Sequence, residues 1–372
     1  MRIETLAVHA GAEPDETRAL APPIHLSTTF EHPPDSRELD GYLYSRYGNP
    51  TQDRLERALT ALDGGDRCLV YGSGMAAAAA LMTALPRGSH LVLADDTYFS
   101  VRTLARELGA RIGFEVSLVD ATRLEAVRGA LRPGTRCVWI ETPSNPHIRI
   151  ADIAGVAELA RGAGAVLVVD GTFATPILQR PIALGAHVVL HSCTKYMGGH
   201  SDVQAGALVI GGDAELLATL GGQRMLHGAV ASPMSSWLVL RGLRTLACRM
   251  EWHCRSAAAV AEALAAHPAV EQVNYPGLAD HPHHRLAATQ MKAFGGMLSL
   301  RVRGGRARAL AAAGRLRLLR NATSLGSTES LCEHRESVEG PDSPTEPDLL
   351  RLSIGLEHPD DLIADLDQAL RG

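Results

Sequence analysis

Between residues 65 and 212, short apolar runs recur at strand length: CLVY (68–71), HLVLA (90–94), CVWI (137–140), AVLVV (165–169), VVL (188–190) and ALVI (207–210). None alternates with polar residues, so each is expected to be buried on both faces, as in a mostly parallel sheet with helices on either side. Helical patterns fill the gaps, among them the alanine-rich 76–80. Together they predict an α/β fold. In such a sheet, ligands gather beyond the carboxyl ends of the strands. That rule singles out YGSGM (71–75), ETPSN (141–145), DGT (170–172) and HSCTKYMGGH (191–200).

Further along, 235–266 carries a helical apolar stripe at Trp237, Leu238, Leu240, Leu243 and Leu246, which predicts one long helix bridging two units. Beyond it the alternation is less regular, closing in a helix over 359–370. A chain of 372 residues suits two domains at roughly 100 to 200 residues each. The expected division is an N-terminal segment 1–50, a large domain 51–245 and a smaller α/β C-terminal domain 246–372. The first 50 residues show neither helix nor strand period, yet YLYSRYGNPT (42–51) is too aromatic for a disordered tail.

Charge narrows the partners. With 36 Lys+Arg against 41 Asp+Glu the net charge is −5, and no basic block recruits nucleic acid or an anionic membrane. Small molecules and copies of the chain itself are the expected partners. Residues 1–25 lack the apolar core of a signal peptide, and the longest apolar run, 75–82, is far shorter than the roughly 20 residues a spanning helix needs. A cytoplasmic protein is expected. The six cysteines, at 68, 137, 193, 248, 254 and 332, form no C-x-x-C pair and read as reduced thiols rather than a zinc or disulfide framework.

Three stretches carry chemistry. Gly72, Ser73, Gly74 and Met75 follow a strand and open a helix, so their N–H groups can hold a phosphate. The same stretch fits G-x-G-x-x-A with Asp95 and Asp96 ending the next strand, which keeps a dinucleotide site open. Asp170 ends the most apolar strand, where an unpaired carboxylate is costly, so a cation should meet it. Lys195 follows a strand among Ser192, Thr194, Gly198 and Gly199. A partly desolvated lysine there can lose its proton and form a Schiff base, while hydroxyls on one side of an extended chain hold a phosphate. These are the parts that pyridoxal 5'-phosphate (PLP) requires, whereas a nicotinamide enzyme has no use for the lysine. The cluster DHPHHR (280–285) reads as a solvated helix cap rather than a metal site, and no metal is expected.

The blocks YSRYGNPT (44–51), SGMAA (73–77), ETPSNP (141–146), HSCTKYMGGHSD (191–202), SLGSTESL (324–331) and RLSIGLE (351–357) resemble, in order and over almost the whole chain, the Cys/Met-metabolism family of PLP-dependent trans-sulfuration enzymes. The resemblance implies a fold-type I PLP-dependent transferase that forms homo-oligomers with shared active sites. It implies Lys195 as the Schiff-base lysine and Asp170 as partner of the pyridine nitrogen. Ser73, Gly74, Met75, Ser192 and Thr194 would form the phosphate pocket, with Tyr44 and Arg46 reaching a neighbouring subunit's phosphate. It further implies Tyr98 stacked on the ring and assisting proton transfer, Asn145 near its phenolic oxygen and Thr172 beneath it. Ser324, Leu325 and Arg351 would hold the substrate's α-carboxylate, and Glu329 would sit near its far end. The reaction implied lies at Cγ of a sulfur-containing or activated homoserine-type amino acid, by replacement or by elimination as in cystathionine chemistry. β-Elimination, homoserine-ester sulfhydrylation and methionine γ-elimination are the family's other reactions.

The chain also departs from the family's pattern. Gly171 stands where an asparagine is usual, Phe99 and Ser100 where two glycines are common, and Ser327 and Thr328 where glycine and a larger apolar residue are frequent. Thr328 is expected to leave a roomier or more polar distal pocket. A member retired from catalysis and kept for binding is the reading these departures would favour.

Overall fold

The structure, a computed structural model, describes residues 1–35, 41–340 and 343–372. Residues 36–40 of the N-terminal segment lie outside that description. Seven strands form the larger sheet: β1 (Arg67–Tyr71), β2 (His90–Ala94), β3 (Glu115–Val119), β4 (Thr135–Glu141), β5 (Val166–Asp170), β6 (Val188–His191) and β7 (Gly206–Ile210), in the order β1-β7-β6-β5-β4-β2-β3. Pairing from β6 through β3 is parallel, and β7 runs antiparallel to both of its neighbours. The apolar runs are continuous because both faces are covered. Leu91, Leu93, Trp139, Val168 and Leu190 pack on one side, under the helix Gly74–Thr83. Val92, Val138, Ile140, Leu167 and Val169 pack on the other, under Ile153–Gly162.

A second sheet makes the C-terminal domain, with β8 (Val270–Asn274), β9 (Met297–Val302), β10 (Arg320–Asn321), β11 (Leu331–His334) and β12 (Leu349–Ser353) in the order β10-β11-β12-β9-β8. The expected α/β architecture, a mostly parallel main sheet followed by a smaller domain with its own sheet, is therefore present.

Four local expectations need correcting. The helix expected over 235–266 is two, Pro233–Leu243 and Leu246–Ala265. At the break, Arg249 donates to Gly242 O (2.7 Å), taking a carbonyl that a continuous helix would use, and to Tyr196 O (2.6 Å). The N-terminal segment contains a helix, Ile3–His9, whose Ile3 and Ala7 are buried. The stretch after β6 is a turn over residues 193–198 rather than extended chain, closed by Gly198 N–H to Cys193 O (2.8 Å) and Gly199 N–H to Lys195 O (2.8 Å). His281, at the head of the histidine cluster, is buried rather than solvated. The three rings engage separate backbone groups: His281 accepts from His283 N–H, His283 accepts from Ile150 N–H, and His284 bonds Pro276 O.

The second of the two glycines after Lys195 has a cause. Gly199 adopts φ +75°, and a Cβ there would lie 2.3 Å from Arg249 Nη1, so only glycine lets the Lys195 turn close over the arginine that holds it.

Candidate active site

Strand order reverses between β2 and β4, and the ends of β4, β5 and β6 beside that point carry Glu141, Asp170 and His191. Above them, the helix Gly74–Thr83 begins with Ser73 as its cap, the Ser73 hydroxyl accepting from Ala76 N–H (3.0 Å). That leaves the first N–H groups of the helix without intrahelical partners. A Cβ on Gly74 would lie 3.0 Å from Ser192 Cβ, so the absence of a side chain lets the helix start meet the turn that carries Lys195.

A cavity of about 180 Å³ opens between these elements. It is lined by Ser73, Gly74, Met75, Tyr98, Asn145, Asp170, Thr172, Ser192, Thr194, Lys195, Ser324, Leu325 and Arg351, which sequence reading had scattered over nearly 280 residues. Lys195 Nζ donates to Ser324 Oγ at 2.7 Å. Burial and the nearby Arg351 and Arg335 guanidiniums, against the pull of Glu333, bring its pKa down to about 8. Arg351 donates to Asn145 Oδ1 (3.0 Å) and Ser324 O (3.0 Å) and pairs with Glu333 (2.7 Å). Burial and Arg335 lower its pKa to about 10, which leaves it a cation at neutral pH. Ser324 itself has φ +107°, a strained conformation for a residue with a Cβ, held by Lys195 on one side and Arg351 on the other.

At the other end, Asp170 is buried and accepts from Thr172 N–H (2.9 Å), and no cation pairs with it among the described residues. Burial raises its pKa. Glu141 stands directly opposite it across the β4/β5 pairing. Burial, then the charge of Asp170, push Glu141 well above the usual carboxylate range, and its Oε2 accepts from Tyr98 N–H at 2.7 Å. Glu141 thus fixes the residue whose ring walls the cavity.

Four candidate residues lie outside this lining. Tyr44 and Arg46 are stacked together on the surface, the guanidinium 5.4 Å from the ring centroid, with Arg46 donating to Met225 O (3.0 Å). Glu329 is exposed, its carboxylate accepting from Ser327 (2.7 Å) and Thr328 (3.0 Å), so Thr328 serves its own loop rather than the cavity. Asp95, the dinucleotide candidate, pairs with Arg149 (2.9 Å) away from the glycine turn. Glu141, Glu333 and Arg335 were not assigned from sequence. Glu141 stood in a stretch already singled out, whereas Glu333 and Arg335 lie outside every such stretch. In the fold Arg335 lines the cavity, pairs with Glu333 (2.5 Å) and Glu339 (2.9 Å), and lies 5.7 Å from the ring centroid of Phe99.

The donor set fits PLP. Free helical N–H groups and hydroxyls suit a phosphate, a readily deprotonated amine suits an aldehyde, and a buried acid lacking a cation suits a ring nitrogen. A family model described as Cys/Met metabolism PLP-dependent enzyme matches residues 4–371. The chain belongs to this family. Its cofactor is therefore PLP, and the dinucleotide reading of the glycine turn is set aside. A cystathionine gamma-synthase of Mycobacterium tuberculosis is 45% identical over 98% of this chain and 96% of its own length. A cystathionine gamma-lyase of Bacillus subtilis is 41% identical over 100% and 99%. The crystal structure of metB from Corynebacterium glutamicum superposes with a TM-score of 0.97 at 42% identity, covering 100% of this chain and 98% of that one. The chain is a PLP-dependent trans-sulfuration enzyme by this membership. No helix among the described residues is long and apolar enough to cross a membrane.

Proposed function

We propose that the enzyme works at Cγ of an amino acid bearing sulfur or an activated ester there, by replacement as in cystathionine γ-synthase or elimination as in cystathionine γ-lyase. The observation that carries the reading is the Lys195 amine, 2.7 Å from Ser324 Oγ, in one cavity with Arg351 and Asp170. When bound, PLP withdraws electrons from the substrate's Cα. Arg351 and the Ser324 and Leu325 segment hold the α-carboxylate, a task for which a guanidinium already oriented by Asn145 and Glu333 is suited. Lys195, uncharged above about pH 8, takes the proton from Cα and, in γ-chemistry, another from Cβ. Tyr98 walls the site and assists that transfer, Asn145 and Thr172 steady the ring, and the Gly74 helix start with Ser73, Met75, Ser192 and Thr194 holds the phosphate.

Tyr44, exposed in the single chain, and the half-buried Arg46 complete the phosphate site of a neighbouring copy. The division into a segment 1–50 reaching that neighbour, a cofactor domain 51–245 and a C-terminal domain 246–372 belongs to the same proposal, as does a cytoplasmic location. Purified protein mixed with cystathionine, with an activated homoserine ester plus cysteine, and with methionine, followed by product identification by mass, tests the reaction. Turnover at Cγ is expected, and products of β-elimination alone would overturn the assignment of position.

A further inference from the structure

Behind the floor of the cavity lie two ionisable side chains that the chemistry above does not use. Leu190 lines the cavity, so its neighbour His191 points to the opposite face of the sheet. There its Nε2 lies 2.9 Å from Oδ2 of Asp63, the last residue of the helix Pro50–Asp63. Both side chains are essentially sealed from water, at 1% and 0% exposure, so this bond is neither screened nor exchanged with solvent. The imidazole packs against Gly171: a Cβ there would lie 3.1 Å from His191 Cε1. The ring thus sits beside the peptide that follows Asp170, with Asp63 on its far side.

We infer that Asp63 and His191 form a buried positioning pair whose imidazolium holds Asp170 in its anionic form against the PLP ring nitrogen. This rests on the reading of Asp170 given above. An acid as buried as Asp170, opposite Glu141, would tend to keep its proton, and its grip on a ring cation would weaken. A positive charge next along offsets that tendency, and Asp63 allows the imidazole to carry it in a dry interior. The charges around the pair are few. Asp63 raises the imidazole's pKa most among them and Asp170 adds to it, against the cost of burial. The thiols of Cys68 and Cys193, which also face Asp63, are pushed up by burial and stay neutral, and Glu56 is paired with Arg224. Glu141, on the cavity side, has its pKa pushed up by burial and by the charge of Asp170.

The test compares the wild-type holoenzyme with Asp63→Asn and His191→Gln, neither of which touches the cavity. The readouts are PLP affinity, the pH dependence of the visible cofactor absorbance, and thermal stability. The expected result is PLP affinity about tenfold weaker or worse in both variants, as for a lost charge-assisted hydrogen bond, with the absorbance midpoint moved and the fold retained. Wild-type affinity and an unchanged pH profile in both would overturn the inference. Failure of the wild-type chain to take up PLP would instead overturn the cofactor site itself. Should either variant not fold, histidine NMR of the wild-type holoenzyme decides: His191 is expected to keep both ring protons at neutral pH, and a neutral His191 ring at pH 7 would contradict the pair.

Discussion

Lys195 is one of only two lysines among 36 basic residues, and the other, Lys292, is exposed near Glu4 on the surface. A chain that uses arginine almost everywhere else keeps lysine where a cation must be able to lose its proton. Lys195→Arg should therefore fail as completely as Lys195→Ala, each lowering turnover at least about 10²-fold; an active arginine variant would count against the role. Its pKa near 8 fixes a pH dependence. Below that value the amine is charged and cannot attack an aldehyde, so covalent uptake of PLP by apoprotein should accelerate with rising pH and level off above about 8, as followed by visible absorbance. A rate flat from pH 6 to 9 would contradict the shift. Asp170 was legible because it stands where an apolar run stops, and Lys195 because it follows such a run among hydroxyls and glycines. Glu333 and Arg335 were not, since EHR (333–335) resembles any solvated charge run until β11 is paired inside the second sheet.

At the scale of elements, strands with both faces buried were easy to read because their pattern is continuous. β3 was missed: it is an edge strand, paired only with β2, and its Leu118 is 52% exposed, so its sequence shows neither a buried run nor a clean alternation. The break between Pro233–Leu243 and Leu246–Ala265 was invisible because it depends on Arg249 reaching back to Gly242 and across to Tyr196. Those bonds tie the helix pair to the turn of Lys195. Gly199→Ala should accordingly cost more than about 2 kcal/mol, from the positive φ and the collision with Arg249, measured as a lowered urea midpoint. It should also loosen PLP, since the Lys195 turn must shift. Unchanged stability would show that the close packing there does not hold the turn.

The whole molecule joins two sheets around one cavity: the ends of β4 to β6 supply the acid and the lysine, and the C-terminal domain supplies Ser324 and Arg351. Family membership was legible in the sequence because its blocks fall at these junctions, whereas the assembly is only hinted at by the exposed Tyr44 and the half-buried Arg46, stacked outside their own chain's cavity. If they serve a neighbour, Arg46→Ala and Lys195→Ala subunits, each nearly inactive alone, should recover activity when dissociated and reassembled together. Absence of recovery in confirmed hybrids would place Arg46 outside the site. The most direct measurement is borohydride reduction of the holoenzyme, followed by digestion and peptide mass analysis. A single pyridoxyl adduct on Lys195 is predicted; an adduct on Lys292, or none, would contradict the site described.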